Sequence, residues 1–423
     1  MKFDLHTIPF FVYKVELSMV NIVYNCKNKD VYFCKIKQYS MDLELVFAKY
    51  KEQTIQGRYI TLDHIEPILH RLNTNNQLQI IGKSVQGKSI YSYQIGSGPI
   101  KILLWSQMHG DESSTTKASF DCFNFFEGNS NEAELFLKKF TLLWIPMLNP
   151  DGAKLYTREN ANSIDLNRDS QDLSQPESQV LRSVFNSFKP DFCFNLHDQR
   201  TIYSVGQTNK PATLSFLAPA YNQEREINSS RLKAINLIAG INEVLQKYIP
   251  GQIGRFDDSF NFNCVGDTFQ FFGVPTVLFE GGHYQNDYDR EMTRKFLFFS
   301  MITAFKLIYE NDIVDNRIDK YLNISQNNPV FCDLLYKNIK INYDGKEKII
   351  NFASQYKEEI IDGKIVFNAY IVQIDALDCL FGHYEYDAKG ALYSDEYGNL
   401  PRLDQPANFF LGNFQFENGL IKS

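Results

Sequence analysis

Two histidines and a glutamate in this chain have the types and spacing of a metal site. His109-x-x-Glu112 follows the apolar run "IKILLWSQM" (100–108), and His197 ends another, "DFCFNLH" (191–197). Two imidazoles and one carboxylate form a standard catalytic zinc set that leaves a fourth position for water. Alone, HxxE is a common accident, and a lone histidine at a strand end more often just satisfies a polar neighbour. Position joins the two, because side chains beyond the carboxyl ends of strands in an α/β sheet face one crevice. After a third run, "FTLLWIPML" (140–148), the stretch "NPDGAKLYTRENANSIDLNRD" (149–169) adds Arg158, Asn167 and Arg168. An arginine fork suits a carboxylate or a developing oxyanion, and an asparagine beside it supplies the other half of a clamp.

These residues need elements to hold them. Four apolar runs read as buried strands: 100–108, 140–148, 191–197 and "PTVLFE" (275–280). Between them lie helical patterns. "PESQVLRSVFNSF" (176–188) opens on Pro-Glu and places Val180, Leu181, Val184, Phe185 and Phe188 on one stripe, and 229–249 and 289–310 repeat the pattern at greater length. Strands alternating with helices predict an α/β layer fold with a mixed, largely parallel central sheet flanked by helices. From about residue 316 the texture changes to strand-like runs punctuated by Asp-Gly, Lys-Gly and Tyr-Gly turns, which predicts a small β-rich C-terminal module over 316–423.

At 423 residues and 44% hydrophobic content the chain can bury a large core, and more than one domain is expected. Its net charge of −7, with scattered Lys and Arg, gives no footprint for nucleic acid or an anionic membrane. No run reaches the ~18 apolar residues of a membrane span. The seven cysteines are odd in number and form no CxxC pair, and Cys193 and Cys264, in apolar surroundings, read as small buried hydrophobes. Residues 1–40 lack periodicity, while "MDLELVFAKYKEQTIQGRYIT" from Met41 reads as an amphipathic beginning. The expectation is an N-terminal extension over 1–40, a native start at Met41, a catalytic domain over 41–315 and a cytoplasmic location.

The order His109-x-x-Glu112, "NPDG" (149–152), Arg158, "DLNR" (165–168), "NLH" ending at His197 and "TVLFE" ending at Glu280 resembles the zinc carboxypeptidases of the M14 peptidase family, over roughly residues 80 to 310. The resemblance implies that His109, Glu112 and His197 bind one zinc ion. It makes Asp165 the acceptor that orients His109, a partner that metal-bound imidazoles usually have. Arg158 is implied as the group that polarises the scissile carbonyl, Asn167 and Arg168 as the holders of the substrate's terminal carboxylate, and Glu280 as general base. The activity implied is hydrolysis of the C-terminal bond of a peptide or of a related small amide. Two alternatives are an N-acyl-amino-acid deacylase or cell-wall peptide amidase of the same fold, and a catalytically silent zinc or peptide-binding module. The C-terminal module is a candidate surface for self-association.

The sequence also departs from the family. The digestive members carry a mobile tyrosine before the general base, yet 254–273 contains none, leaving Phe260 or Phe262 at that place. By its offset from Glu280, the base of the side-chain pocket falls at Val265 or Gly266, with no acid there. Asp257, Asp258 and Arg255 are the nearby charges. Short loops, with nine residues from Arg158 to Asn167, predict an open, shallow funnel.

Overall fold

The computed structural model describes residues 41–73, 77–343, 345–375, 377 and 379–422. The expected extension over 1–40 lies outside them. Residues up to Lys49 and those from Tyr50 onward form separate units. The described part of the first is helix α1 (Leu43–Tyr50), whose last residue opens the second unit.

In the second unit α2 (Leu62–Leu72) is followed by β1 (Leu78–Lys83), β2 (Ser89–Ile95), β3 (Ile100–Ser106), α3 (Ser114–Glu127), α4 (Asn131–Lys139), β4 (Phe140–Ile145) and α5 (Pro150–Leu155). A 3-10 turn (Leu166–Arg168), α6 (Pro176–Phe188), β5 (Phe192–Asp198), β6 (Ser204–Val205), β7 (Leu214–Leu217) and α7 (Ser229–Leu245) come next. Then follow β8 (Ile253–Arg255), α8 (Val265–Phe271), β9 (Thr276–Gly281), α9 (Glu291–Tyr309) and α10 (Ile318–Leu322).

The main sheet runs β1-β2-β4-β3-β5-β9-β7-β8. Its inner four strands are parallel, while β2 and β7 lie antiparallel against them. The sheet is therefore mixed with a parallel centre. The apolar runs are continuous because both faces are covered. Leu103 and Trp105 of β3 pack with Leu181, Val184 and Phe185 of α6 and Phe269 of α8. One residue out of phase, Leu104 pairs in register with Trp144 and Phe194, whose rings meet Phe305 of α9 at 5.9 and 5.8 Å.

Helix α6 spans the residues its stripe predicts. Helix α7 stops at Leu245 rather than Ile249, since Pro250 follows and proline both lacks a donor and disfavours helical geometry before it. After α1 the amphipathic pattern breaks into an irregular segment, which Arg294 of α9 pins. Its guanidinium donates to the carbonyls of Ile55 and Glu52 at 2.9 and 2.7 Å and grips Asp121 of α3 with two bonds of 2.6 and 2.7 Å. Arg294 and Asp121 are both fully buried. Among the described residues no helix is long and apolar enough to cross a membrane.

The C-terminal region is β-rich, as expected. After β10 (Asn327–Asn328), which pairs with β6, a sheet forms from β11 (Phe331–Tyr343), β12 (Lys346–Ile361), β13 (Lys364–Ile374) and β14 (Phe381–Asp387) in the order β13-β12-β11-β14. A smaller sheet joins β15 (Tyr393–Ser394), β16 (Phe409–Leu411), β17 (Phe414–Glu417) and β18 (Leu420–Ile421). Tyr336, Phe352, Tyr393, Phe409 and Phe416 form the core between them. The β12–β13 turn is Asp362-Gly363, both at positive φ (50° and 73°), the geometry a tight two-residue hairpin requires.

Candidate metal centre and cleft

Each candidate ligand is placed by a strand end. Past β3 the backbone turns at Gln107, which takes a φ of 48° and donates its side-chain amide to Gly110 O at 2.9 Å and Ile60 O at 2.8 Å. That turn presents His109, and Glu112 lies just before Ser113, the residue that caps α3, rather than inside the helix. Gly110 is required here, because an added Cβ would come within 2.0 Å of the Gly152 backbone in α5. The His109 turn and the "NPDG" helix are thus locked together by close backbone contact. His197 lies at the end of β5, and in the parallel register of β5 and β9 it is the direct partner of Glu280.

The three expected ligands converge. His109 Nδ1 is 2.7 Å from Glu112 Oε1, His197 Nδ1 is 2.8 Å from Glu112 Oε2, and the two Nδ1 atoms are 3.1 Å apart. All three residues are buried. Buried imidazoles and a carboxylate aimed at one point form a strongly cation-seeking set, and its composition is that of a zinc site. The electrostatics agree. Burial works against charge on His109, but Glu112 and Asp165 outweigh it and push the imidazole up to about 9. Burial would likewise raise Glu112, yet His109 and His197 hold it well below the carboxylate range.

The supporting groups are also in place. Asp165 Oδ1 is 3.0 Å from His109 Nε2, and the same carboxylate accepts from Arg158 Nε at 3.1 Å and from Asn167 N at 2.8 Å. It therefore fixes the imidazole, the arginine and the 3-10 turn together. Arg158 Nη1 also reaches Glu112 Oε1 at 3.2 Å. Asn167 accepts from Val265 N at 3.1 Å, which ties the 3-10 turn to α8. Glu280 stands half-buried beside the triad, and its buried Oε2 has no partner among the described residues. Burial first, and the charge of Glu112 second, push its carboxyl well above the usual range.

A cavity of about 1050 Å³ joins these groups, with Arg158, Asn167, Arg168 and Glu280 in its lining. All eight residues singled out in the sequence come together there or directly behind it. Its wall corrects two expectations. Gly266 lines the cavity, but so does Asp267, so an acid does stand at this position; burial pushes its carboxyl up to about 7 against the pull of Arg168. Cys264 lines the cavity too and is only partly buried. Phe260 and Phe262 stack at 5.9 Å on the rim. Asp258 bonds Arg231, and Arg255 lies over Tyr321 at 5.1 Å, so both serve the fold. His283 is buried against His383 at 4.0 Å. Sequence reasoning missed Arg58, Gln355, Tyr356 and Glu358, which also line the cavity. The last three come from β12, where nothing in the strand pattern distinguishes them.

Residues 65–241 match the family model described as zinc carboxypeptidase, Peptidase_M14. Carboxypeptidase 2 of Trichophyton rubrum is 24% identical over 157 residues, which are 37% of this chain and 27% of that protein. Carboxypeptidase SOL1 of Arabidopsis thaliana is 28% identical over 162 residues, 33% of each. The chain thus spans about a third or less of the length of these curated relatives. Among solved structures, a metallo-carboxypeptidase from Burkholderia cenocepacia aligns at 15% identity with a TM-score of 0.47, covering 59% of this chain and 69% of that one. Carboxypeptidase A from Helicoverpa armigera aligns at 15% identity with a TM-score of 0.45, covering 63% and 80%.

Proposed function

We propose, from the match of residues 65–241 to the zinc carboxypeptidase family model, that the chain hydrolyses the C-terminal peptide bond of peptides. The observation that carries this reading is the side-by-side register of His197 and Glu280, which sets a carboxylate with a buried, unpartnered oxygen next to a converged His-Glu-His triad.

Zinc held by His109, Glu112 and His197 would supply Lewis acidity, making a water acidic enough to lose its proton near neutral pH. Glu280 takes that proton and passes it to the leaving amine, a role suited to a carboxyl whose burial raises its proton affinity. Arg158, which Asp165 steadies, stabilises the oxygen on which negative charge develops. Asn167 and Arg168 hold the terminal carboxylate of the substrate. Arg168 is exposed on the cavity wall, so an incoming carboxylate meets a ready donor.

The test is to incubate zinc-loaded protein with a mixed peptide library and read the products by mass spectrometry, with Glu280→Gln as control. Release of single C-terminal residues is expected, reduced at least about a hundredfold in the control. Cleavage at the other end, or equal cleavage by the control, would overturn the proposal.

A further inference from the structure

The wall that β12 gives to the cleft is built rather than incidental. Side chains on a strand alternate, so Tyr356 and Glu358 share one face and line the cavity, Lys357 between them is exposed, and Gln355, although out of phase with that pair, lines it as well. Glu358 is gripped by Arg58 and accepts from the Tyr156 hydroxyl at 2.7 Å. Gln355 donates to Thr201 Oγ1 at 2.8 Å. Asp333 of β11 accepts from Tyr356 N and from the Tyr288 hydroxyl, both at 2.8 Å. The Tyr356 ring stands edge-on to Tyr288 at 5.1 Å and to Phe367 at 5.9 Å.

These anchors sit on the chemistry. Thr201 follows His197 by four residues, Tyr288 follows Glu280 by eight, and Tyr156 precedes Arg158 by two. The Tyr156 hydroxyl is engaged by Glu358, whereas the Tyr356 hydroxyl has no partner among the described residues although its ring lines the cavity. A fixed ring with an unused hydroxyl in a cleft is a prepared hydrogen-bond donor. The clamp group is separate: Asn167 and Arg168 are tied to α8 and lie near Cys264 and Asp267.

We propose that the C-terminal module completes the substrate site, with Tyr356 donating to a peptide carbonyl upstream of the bond that is cut, and Glu358 acting as the positioning residue of that wall. This rests on the reading that Asn167 and Arg168 hold the terminal carboxylate, which directs the acyl part of the substrate to the remaining wall. The substrate class is then a peptide with a second peptide unit before the scissile one, rather than a singly acylated amino acid.

Two probes test it: N-acetyl-Xaa, and N-acetyl-Ala-Xaa, which adds one upstream carbonyl, Xaa being the residue released best from the library. In the zinc-loaded full chain Tyr356→Phe should raise KM for N-acetyl-Ala-Xaa about threefold to tenfold, leaving kcat and all N-acetyl-Xaa kinetics unchanged. Glu358→Gln, which leaves the buried Arg58 without its charge partner, should show the same selective loss in protein that a melting curve shows is still folded at the assay temperature. Equal effects on both probes, or none, would overturn the proposal. If wild type cleaves neither probe, the carboxypeptidase reading fails instead. Calorimetric titration of N-acetyl-Ala-Xaa into zinc-loaded Glu280→Gln, with and without Tyr356→Phe, then decides the contact: weaker binding in the double variant upholds it, and equal binding or no binding overturns it.

Discussion

His197 and Glu280 each stand one residue from the end of their strands, β5 and β9, whereas Tyr356 and Glu358 lie within the sixteen-residue strand β12. Both pairs line one cavity. The first pair marks itself in the sequence, because an ionisable residue closing an apolar run has little reason to be there except at a sheet mouth. The second pair looks like the solvent-facing half of any antiparallel strand. Strand ends in the α/β layer thus advertise chemistry, while the β module lends side chains to the cleft that only its docking reveals.

That contrast implies that damage to the first region removes metal or turnover, and damage to the second shifts selectivity or stability. The largest effect expected is for His197→Ala, which leaves two of the three candidate ligands. Zinc affinity should fall by more than the ~100-fold that losing an outer partner costs, and metal analysis after dialysis against a chelator reads it. One zinc retained per chain would break the contrast at its strongest point.

Next is Arg168→Ala. Loss of a charged hydrogen bond predicts a KM about tenfold to a hundredfold higher for peptides with a free carboxylate and little change for their amides, measured by parallel kinetics on the two forms. A similar loss on both would remove Arg168 from the clamp.

Acid should act on the second region. His383 of β14 sits against Thr201 O at 2.8 Å and stacks on Phe331 at 4.5 Å, and burial lowers its imidazole to about 4. Between its ordinary value and 4 the unfolded chain binds the proton more readily, so this stability is complete above about pH 6.5 and is lost as pH falls toward 4. Denaturation at a series of pH values should show a loss on the order of 3 kcal/mol over that window that His383→Gln removes. An unchanged acid slope in the variant would show that the contact does not titrate.

The smallest effect belongs to Lys348→Ala, which breaks an ion pair with Asp375 whose side chains are 58% and 54% exposed. A stability change within about 0.5 kcal/mol and unaltered kinetics are expected. A marked loss of activity would mean that the whole module, and not the β12 wall alone, bears on the cleft.

Much of the site is legible in the order of residues alone. The candidate ligands and the residues proposed as base and clamp each follow a buried run or sit in a short motif, and strand periodicity with helical stripes is enough to fix the order of elements and the α/β layering. Asp267 was missed because an offset counted along the chain cannot tell which side of the short helix α8 faces the cavity. Arg58 was missed because an isolated arginine in an irregular segment carries no pattern; it is held at its place by Glu358, three hundred residues away.

The sequence by itself determined that the chain alternates strands and helices up to a β-rich end, and that two histidines and two glutamates close or follow its apolar runs. Those are local consequences of side-chain period and of the preference of buried strands for apolar residues. Tertiary structure alone decided that His197 and Glu280 are neighbours, since parallel register between β5 and β9 depends on packing between segments about eighty residues apart. It also decided that β12 lies against the cleft, because the bond Gln355 donates to Thr201 and the bond Glu358 accepts from Tyr156 form only once both regions are folded.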